Sequence, residues 1–184
     1  ILSPSDVTVS LLNAGDTLLA TVTFSEVIVL NTTAGSPTLE LTVGSSTVQA
    51  TYVSGSGTNA LVFSTAIVNG QTDNDGVAIA LSALHLNGAS LKDAAGNTAT
   101  ITSSAVASNP AYLVDTTAPT LLSIASSRST FLIDQTSIIT FTFSDDPGST
   151  FAWNGTSGDV TVVEGALTAI SGTGLTRTAT FYPT

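Results

Sequence analysis

The side chains in this sequence that can do chemistry are few, and nearly all of them are acidic. Thirteen Asp and Glu stand against three Lys and Arg, with a single His and no Cys, for a formal net charge of -10. Asp73, Asp75, Asp115, Asp145 and Asp146 sit in turn-forming surroundings rich in Asn, Gly and Pro, as do Glu26, Asp93 and Asn97. Carboxylates gathered in a protein so poor in charge repel one another unless a cation or water screens them. Calcium takes six to eight oxygen ligands from carboxylates and carbonyls, so this ligand set suits it. Asp and Asn also populate turns for their own backbone hydrogen bonds, which leaves sodium, or no metal at all, as an equal answer to the same pattern.

The other reactive groups point to less. His85 lies between Leu84 and Leu86 and reads as a structural histidine. Without a second His or any Cys, zinc has no ligand set. The nucleophile pattern Gly-x-Ser-x-Gly is missing, and short turns leave little room for a catalytic cleft, so the chain is not expected to be an enzyme. Lys92 is the only lysine, and its loop-like surroundings argue against an internal lysine–asparagine cross-link. Trp153, with Phe151 nearby, either packs a core or offers a stacking platform for a sugar, which makes it the candidate ligand-binding residue. Asn31-Thr32-Thr33 and Asn154-Gly155-Thr156 match the glycosylation acceptor pattern, which arises often by chance.

The elements that must position these residues are strands. Helical periodicity is nearly missing, while apolar and polar residues alternate throughout. Strands are expected at residues 7–9, 17–24, 39–43, 47–53 and 59–68, with part strand and part short helical turn over 77–86. A loop is expected over 91–97, and the last strand of this half within 98–114. Gly- and Asn-rich turns separate them, such as Ser54-Gly55-Ser56-Gly57. About seven strands with a turn every ~8–12 residues is the pattern of an immunoglobulin-like sandwich.

The pattern then recurs. Thr21-Val22-Thr23-Phe24-Ser25-Glu26 is echoed by Thr140-Phe141-Thr142-Phe143-Ser144-Asp145, and Ser54-Gly55-Ser56-Gly57 with Phe63 by Ser171-Gly172-Thr173-Gly174 with Phe181. A motif reused at domain-sized spacing predicts two sandwiches, residues 1–114 and 115–184, joined at Val114-Asp115-Thr116-Thr117-Ala118-Pro119-Thr120. Pro119 fixes its own φ and keeps Ala118 extended, so the joint is short and stiff. The second copy stops after what corresponds to the fifth strand. It is therefore expected to be incomplete, either as a fragment of a longer chain or with strands supplied by another molecule. The missing initial Met likewise suggests a longer translation product. An up-and-down strand path would place Asp73, Asp75, Asp115, Asp145 and Asp146 at the joint, and Glu26, Asp93 and Asn97 at the opposite end of the first unit.

Five stretches together resemble bacterial immunoglobulin-like repeats: Ala14-Gly15-Asp16-Thr17-Leu18, Val22-Thr23-Phe24-Ser25-Glu26, Tyr52-Val53-Ser54-Gly55-Ser56-Gly57-Thr58, Lys92-Asp93-Ala94-Ala95-Gly96-Asn97 and Val114-Asp115-Thr116-Thr117-Ala118-Pro119. Such repeats form the extenders of large secreted adhesins and biofilm-associated surface proteins. The resemblance implies an extracellular, rod-like role, often stiffened by calcium, with neighbouring immunoglobulin-like domains as partners in cis or in trans. A glycan- or protein-binding module and a subunit of a self-assembling extracellular filament or lattice are the alternatives. The acidic balance disfavours nucleic acid and anionic membranes as partners. No stretch approaches the apolar length that membrane insertion needs.

Overall fold

A computed structural model describes residues 2–4, 11–130, 132 and 134–184. The strand expected over residues 7–9 lies outside the described residues. The chain is all-β and divides into two compact units, Ile1–Thr117 and Ala118–Thr184.

Unit 1 runs β1 (Leu2–Pro4), β2 (Leu11–Leu12), β3 (Thr17–Asn31), β4 (Thr38–Val43), β5 (Ser46–Ser54), β6 (Thr58–Ala66), β7 (Thr72–Asp73), β8 (Ala78–His85), β9 (Ser90–Asp93) and β10 (Leu113–Asp115). The larger sheet has the order β1-β3-β6-β5-β4-β8, with β9 pairing the far half of β3. A smaller sheet, β2-β10-β7, includes the parallel pair β10–β2. That parallel pair and the β9–β3 pair depart from a simple up-and-down path. Alternation explains the strands. On β4, Leu39, Leu41 and Val43 are buried while the residues between them are partly exposed, and on β6 Leu61 and Phe63 are fully buried. These side chains join Leu18, Ile28, Leu91 and Val114 in one core. Burying a Leu or Phe side chain contributes roughly 1.5–3 kcal/mol, so this core holds the unit together.

Three local expectations change. Residues 77–86 form no helical turn. β8 stays extended and kinks at Ser82, whose φ of 54° breaks the strand where the register to β4 shifts. The run expected as a loop over 91–97 begins as β9, because Leu91 is buried opposite Leu30 of β3, and the turn starts only after Asp93. Lys92 therefore sits on a strand, exposed and opposite Val29. The strand expected to end at Phe24 continues through Asn31, interrupted by a bulge between Thr23 and Ile28 in its pairing with β6.

Unit 2 is one four-stranded sheet of order β11-β12-β14-β13, with β11 (Leu121–Ser126), β12 (Ser137–Phe143), β13 (Gly165–Leu167) and β14 (Thr176–Pro183). Its small core comprises Phe141, Phe143, Leu167 and Ala179, roofed by Phe151, Trp153, Val160, Val162 and Ile170 from irregular segments. Phe151 packs on both core phenylalanines, with ring centroids 5.2 and 4.9 Å apart. Every residue of β11 is exposed, and the strand is held by its ladder to β12 and by a hydroxyl pair, Ser126 Oγ and Ser137 Oγ at 2.7 Å.

Candidate functional site

The acidic residues fall into three settings. In the first, antiparallel pairing of β7 with β10 puts Asp73 opposite Val114 and Asp115 opposite Thr72. Asp73 is buried, 2% exposed. Its Oδ2 accepts from the Gly44 N–H at 2.7 Å, and its Oδ1 from the N–H groups of Gly76 at 2.7 Å and Asp75 at 3.3 Å. One carboxylate thus ties the β4–β5 turn to the loop after β7. The turn demands glycine: Gly44 has a φ of 55°, and a Cβ there would lie 2.1 Å from the Thr72 carbonyl oxygen. Both Asp73 oxygens serve the fold and are closed to solvent, so Asp73 does not fit as a metal ligand. Asp75 is exposed and accepts from the Ser108 hydroxyl at 3.0 Å, and Asp115 Oδ1 accepts from the Thr117 N–H at 2.8 Å.

The second setting is a pocket of about 220 Å³ at which Glu26, Asp93 and Asn97 meet, with Ser25 and Thr98 on its walls. The β9–β3 pairing creates it by bringing the turn after β9 against the bulge of β3. Asp93 Oδ2 accepts from Asn97 Nδ2 at 2.7 Å, and Oδ1 from the Asn97 N–H at 2.8 Å. Those two bonds, the side-chain one first, hold the Asp93 carboxyl below its ordinary pKa of 3.8. Both Asp93 oxygens are thus taken up by Asn97, and Glu26, Asp93 and Asn97 are the candidate ligands that line one pocket.

In the third setting, Asp146 of unit 2 accepts from the Gly148 N–H, from the Gly174 N–H at 3.1 Å and from Arg177 Nη2 at 2.6 Å. The Gly148 bond, then the guanidinium, lowers its pKa from 3.8. Arg177 is buried and also donates to the carbonyls of Gly174, Thr176 and Gly148. Asp145 Oδ1 accepts from the Asp146 N–H at 2.7 Å. Sequence reading missed Arg177 altogether. Its signal was a charged residue at an alternating core position, opposite Phe141.

Among the described residues no three His, Cys, Asp or Glu side chains come close enough together to hold a metal ion. Trp153 is half-buried in the unit 2 core, and its Nε1 donates to the Leu167 carbonyl at 3.2 Å. Its ring packs inside the fold instead of standing free as a stacking platform. His85 is exposed, its Nε2 3.7 Å from Glu40 Oε2.

The residues on either side of the unit boundary are bonded each within its own unit. The Thr116 hydroxyl donates to the Gln71 carbonyl and accepts from the Gly70 N–H, each at 2.9 Å. In unit 2, Thr120 donates through its N–H and its hydroxyl to Ser144 Oγ, and the Ser144 N–H donates to the Thr120 carbonyl. No family model, curated protein or solved structure is found to match this chain.

Proposed function

We propose that this chain is a structural extender: two tandem immunoglobulin-like sandwiches from a bacterial extracellular surface protein of the adhesin-stalk type. The observation that carries the reading is one strand order used twice, β1-β3-β6-β5 in unit 1 and β11-β12-β14-β13 in unit 2. The echo of Phe24 in Phe143 aligns Val22 with Phe141, and the residues opposite them across the sheet are Leu61 and Arg177. A copied scaffold with substituted core residues is what an array of related domains contains.

Stiffness is the property such a segment needs. Thr117 is bonded to Asp115 and Thr116 to the 70–71 turn, while Thr120 is bonded to Ser144. Only Ala118 and Pro119 are left between, and proline restricts both. Calcium in the Glu26, Asp93 and Asn97 pocket would brace the turn after β9 against β3. Small-angle scattering tests the mechanical reading. The native chain should fit a narrow distribution of inter-unit geometries, broadened by Pro119→Gly. A distribution equally broad before and after the substitution would refute it. Completion by strands from a neighbouring domain is the second reading, favoured by β13, which stands at the end of the unit 2 sheet and among the described residues pairs with β14 alone.

A further inference from the structure

Two motifs of the sequence are not used by the extender reading. Asn31-Thr32-Thr33 and Asn154-Gly155-Thr156 carry the pattern that accepts an N-linked sugar, and no other asparagine has Ser or Thr two residues on. Because such matches arise by chance, the folded geometry decides whether either asparagine can react.

Both motifs lie at the surface, but the fold treats their side-chain amides differently. Asn31 ends β3 opposite Ser90 of β9 and opens the turn into β4. Asn31, Thr32 and Thr33 are all exposed. Asn31 Oδ1 accepts from the Thr33 N–H at 2.9 Å and from the Thr33 hydroxyl at 2.6 Å, whereas Nδ2 has no partner among the described residues. The turn behind it is fixed, since a Cβ on Gly35 would run into the Asn87 carbonyl oxygen. Residues 31–37 hold no charge and no side chain bulkier than the asparagine itself, so the turn leaves Nδ2 uncrowded. Asn154 is bound at both ends of its amide. Its Oδ1 accepts from the N–H and hydroxyl of Thr156 and from the Ser157 N–H, each at 2.9 Å, and its Nδ2 donates to Ser157 Oγ at 3.1 Å.

We propose that Asn31 is an acceptor site for N-linked glycosylation from a sugar activated as a diphosphate, and that the fold withholds Asn154 from the same reaction. Asn31 Nδ2 attacks the anomeric carbon. The new carbon–nitrogen bond forms as the bond from that carbon to the diphosphate oxygen breaks. The diphosphate leaves with the electron pair, and one Nδ2 proton passes to a base on the transferring enzyme. An amide nitrogen is a poor nucleophile because its lone pair is shared with the carbonyl. The two Thr33 donors are already aimed at Oδ1, where negative charge gathers as that proton leaves, so they stabilise it without reorganisation. Asn154 must first give up its bond to Ser157. The product carries a bulky, solubilising group on an uncharged turn of unit 1.

The test incubates the folded full chain with a soluble N-glycosyltransferase of Asn-x-Thr specificity and a nucleotide-diphosphate hexose, read by intact mass and peptide mapping. Synthetic peptides of residues 27–37 and 150–160 give each site's rate without the fold. Asn31 in the folded chain should react about as fast as in its peptide, and Asn154 at least about fivefold more slowly than in its own, the rate equivalent of one hydrogen bond. Asn31→Gln should remove the added hexose with the circular dichroism unchanged. Ser157→Ala frees Asn154 Nδ2 and should restore transfer there. No hexose on Asn31 of the folded chain, equal suppression of both sites, or an Asn154 that stays unreactive in the Ser157→Ala chain would overturn the proposal.

Discussion

Replacing Asp73 should destabilise the first unit selectively. Its buried carboxylate accepts two backbone N–H groups at 2.7 Å, from Gly76 in a buried bond and from the half-buried Gly44, and a third at 3.3 Å from the exposed Asp75. A hydrogen bond to a charged acceptor contributes about 1.5–3 kcal/mol, and a buried donor left without a partner costs about 1–3 kcal/mol. Counting only the two short bonds, and allowing for the desolvation of the carboxylate itself, Asp73→Ala should cost unit 1 roughly 3–5 kcal/mol, a large fraction of a domain's usual stability of ~5–15 kcal/mol. Asp73→Asn keeps the shape but has a single acceptor oxygen, and its NH₂ must face one of the glycine N–H groups. It should recover at most about half of the loss. The assay is urea unfolding followed by far-ultraviolet circular dichroism for the whole chain, with the fluorescence of Trp153, the only Trp, reporting unit 2 alone. The circular dichroism transition assigned to unit 1 should move while the Trp153 transition stays in place. A loss below about 1 kcal/mol for Asp73→Ala would refute the claim that this carboxylate ties the two turns together.

Other outcomes are expected from the same physics. Phe63→Ala, at a fully buried ring, should destabilise unit 1 by about 3–5 kcal/mol, read as the shift in its unfolding midpoint. Asp146 and Asp93 both have folded pKa values below 3.8, so their stabilisation is complete above the unfolded value and is lost as pH falls below 3.8 through the folded one. Acid titration of the Trp153 signal should therefore show unit 2 weakening only below that pH, and Asp146→Asn should flatten this part of the profile. Glu26→Gln with Asp93→Asn should abolish any calcium-dependent rise in melting temperature, whereas an unchanged rise would move the ion elsewhere. Trp153→Ala should lower unit 2 stability, seen by circular dichroism. A glycan screen in which the native chain binds and the variant, still folded, does not would instead support a sugar platform.

The parts of this protein that follow from alternation were legible in its sequence. β4, β5 and β6 lie within two residues of where apolar and polar residues alternate between Gly-rich turns. β9 was hidden because only Leu91 of its four residues is buried, so its strand character comes from pairing with β3 and not from its own pattern. The kink at Ser82 was equally invisible, since a positive φ at serine is imposed by the register shift against β4. Of the candidate ligands, Glu26, Asp93 and Asn97 line one pocket, because the turn after β9 meets the bulge of β3 there. Asp73 was read as a ligand, but tertiary burial between two turns gives it a structural task that no local pattern announces. Arg177 escaped notice because its neutralising partner lies thirty-one residues away along the chain.

The central claim is that one scaffold is built twice and the copies unfold as separate mechanical elements. Stretching the chain between its ends by single-molecule force spectroscopy tests it directly. Unit boundaries at Thr117 and Ala118 predict two rupture events, releasing at most roughly 420 Å and 240 Å of chain at ~3.6 Å per residue. A single rupture releasing the whole length, with no step near either value, would contradict the account.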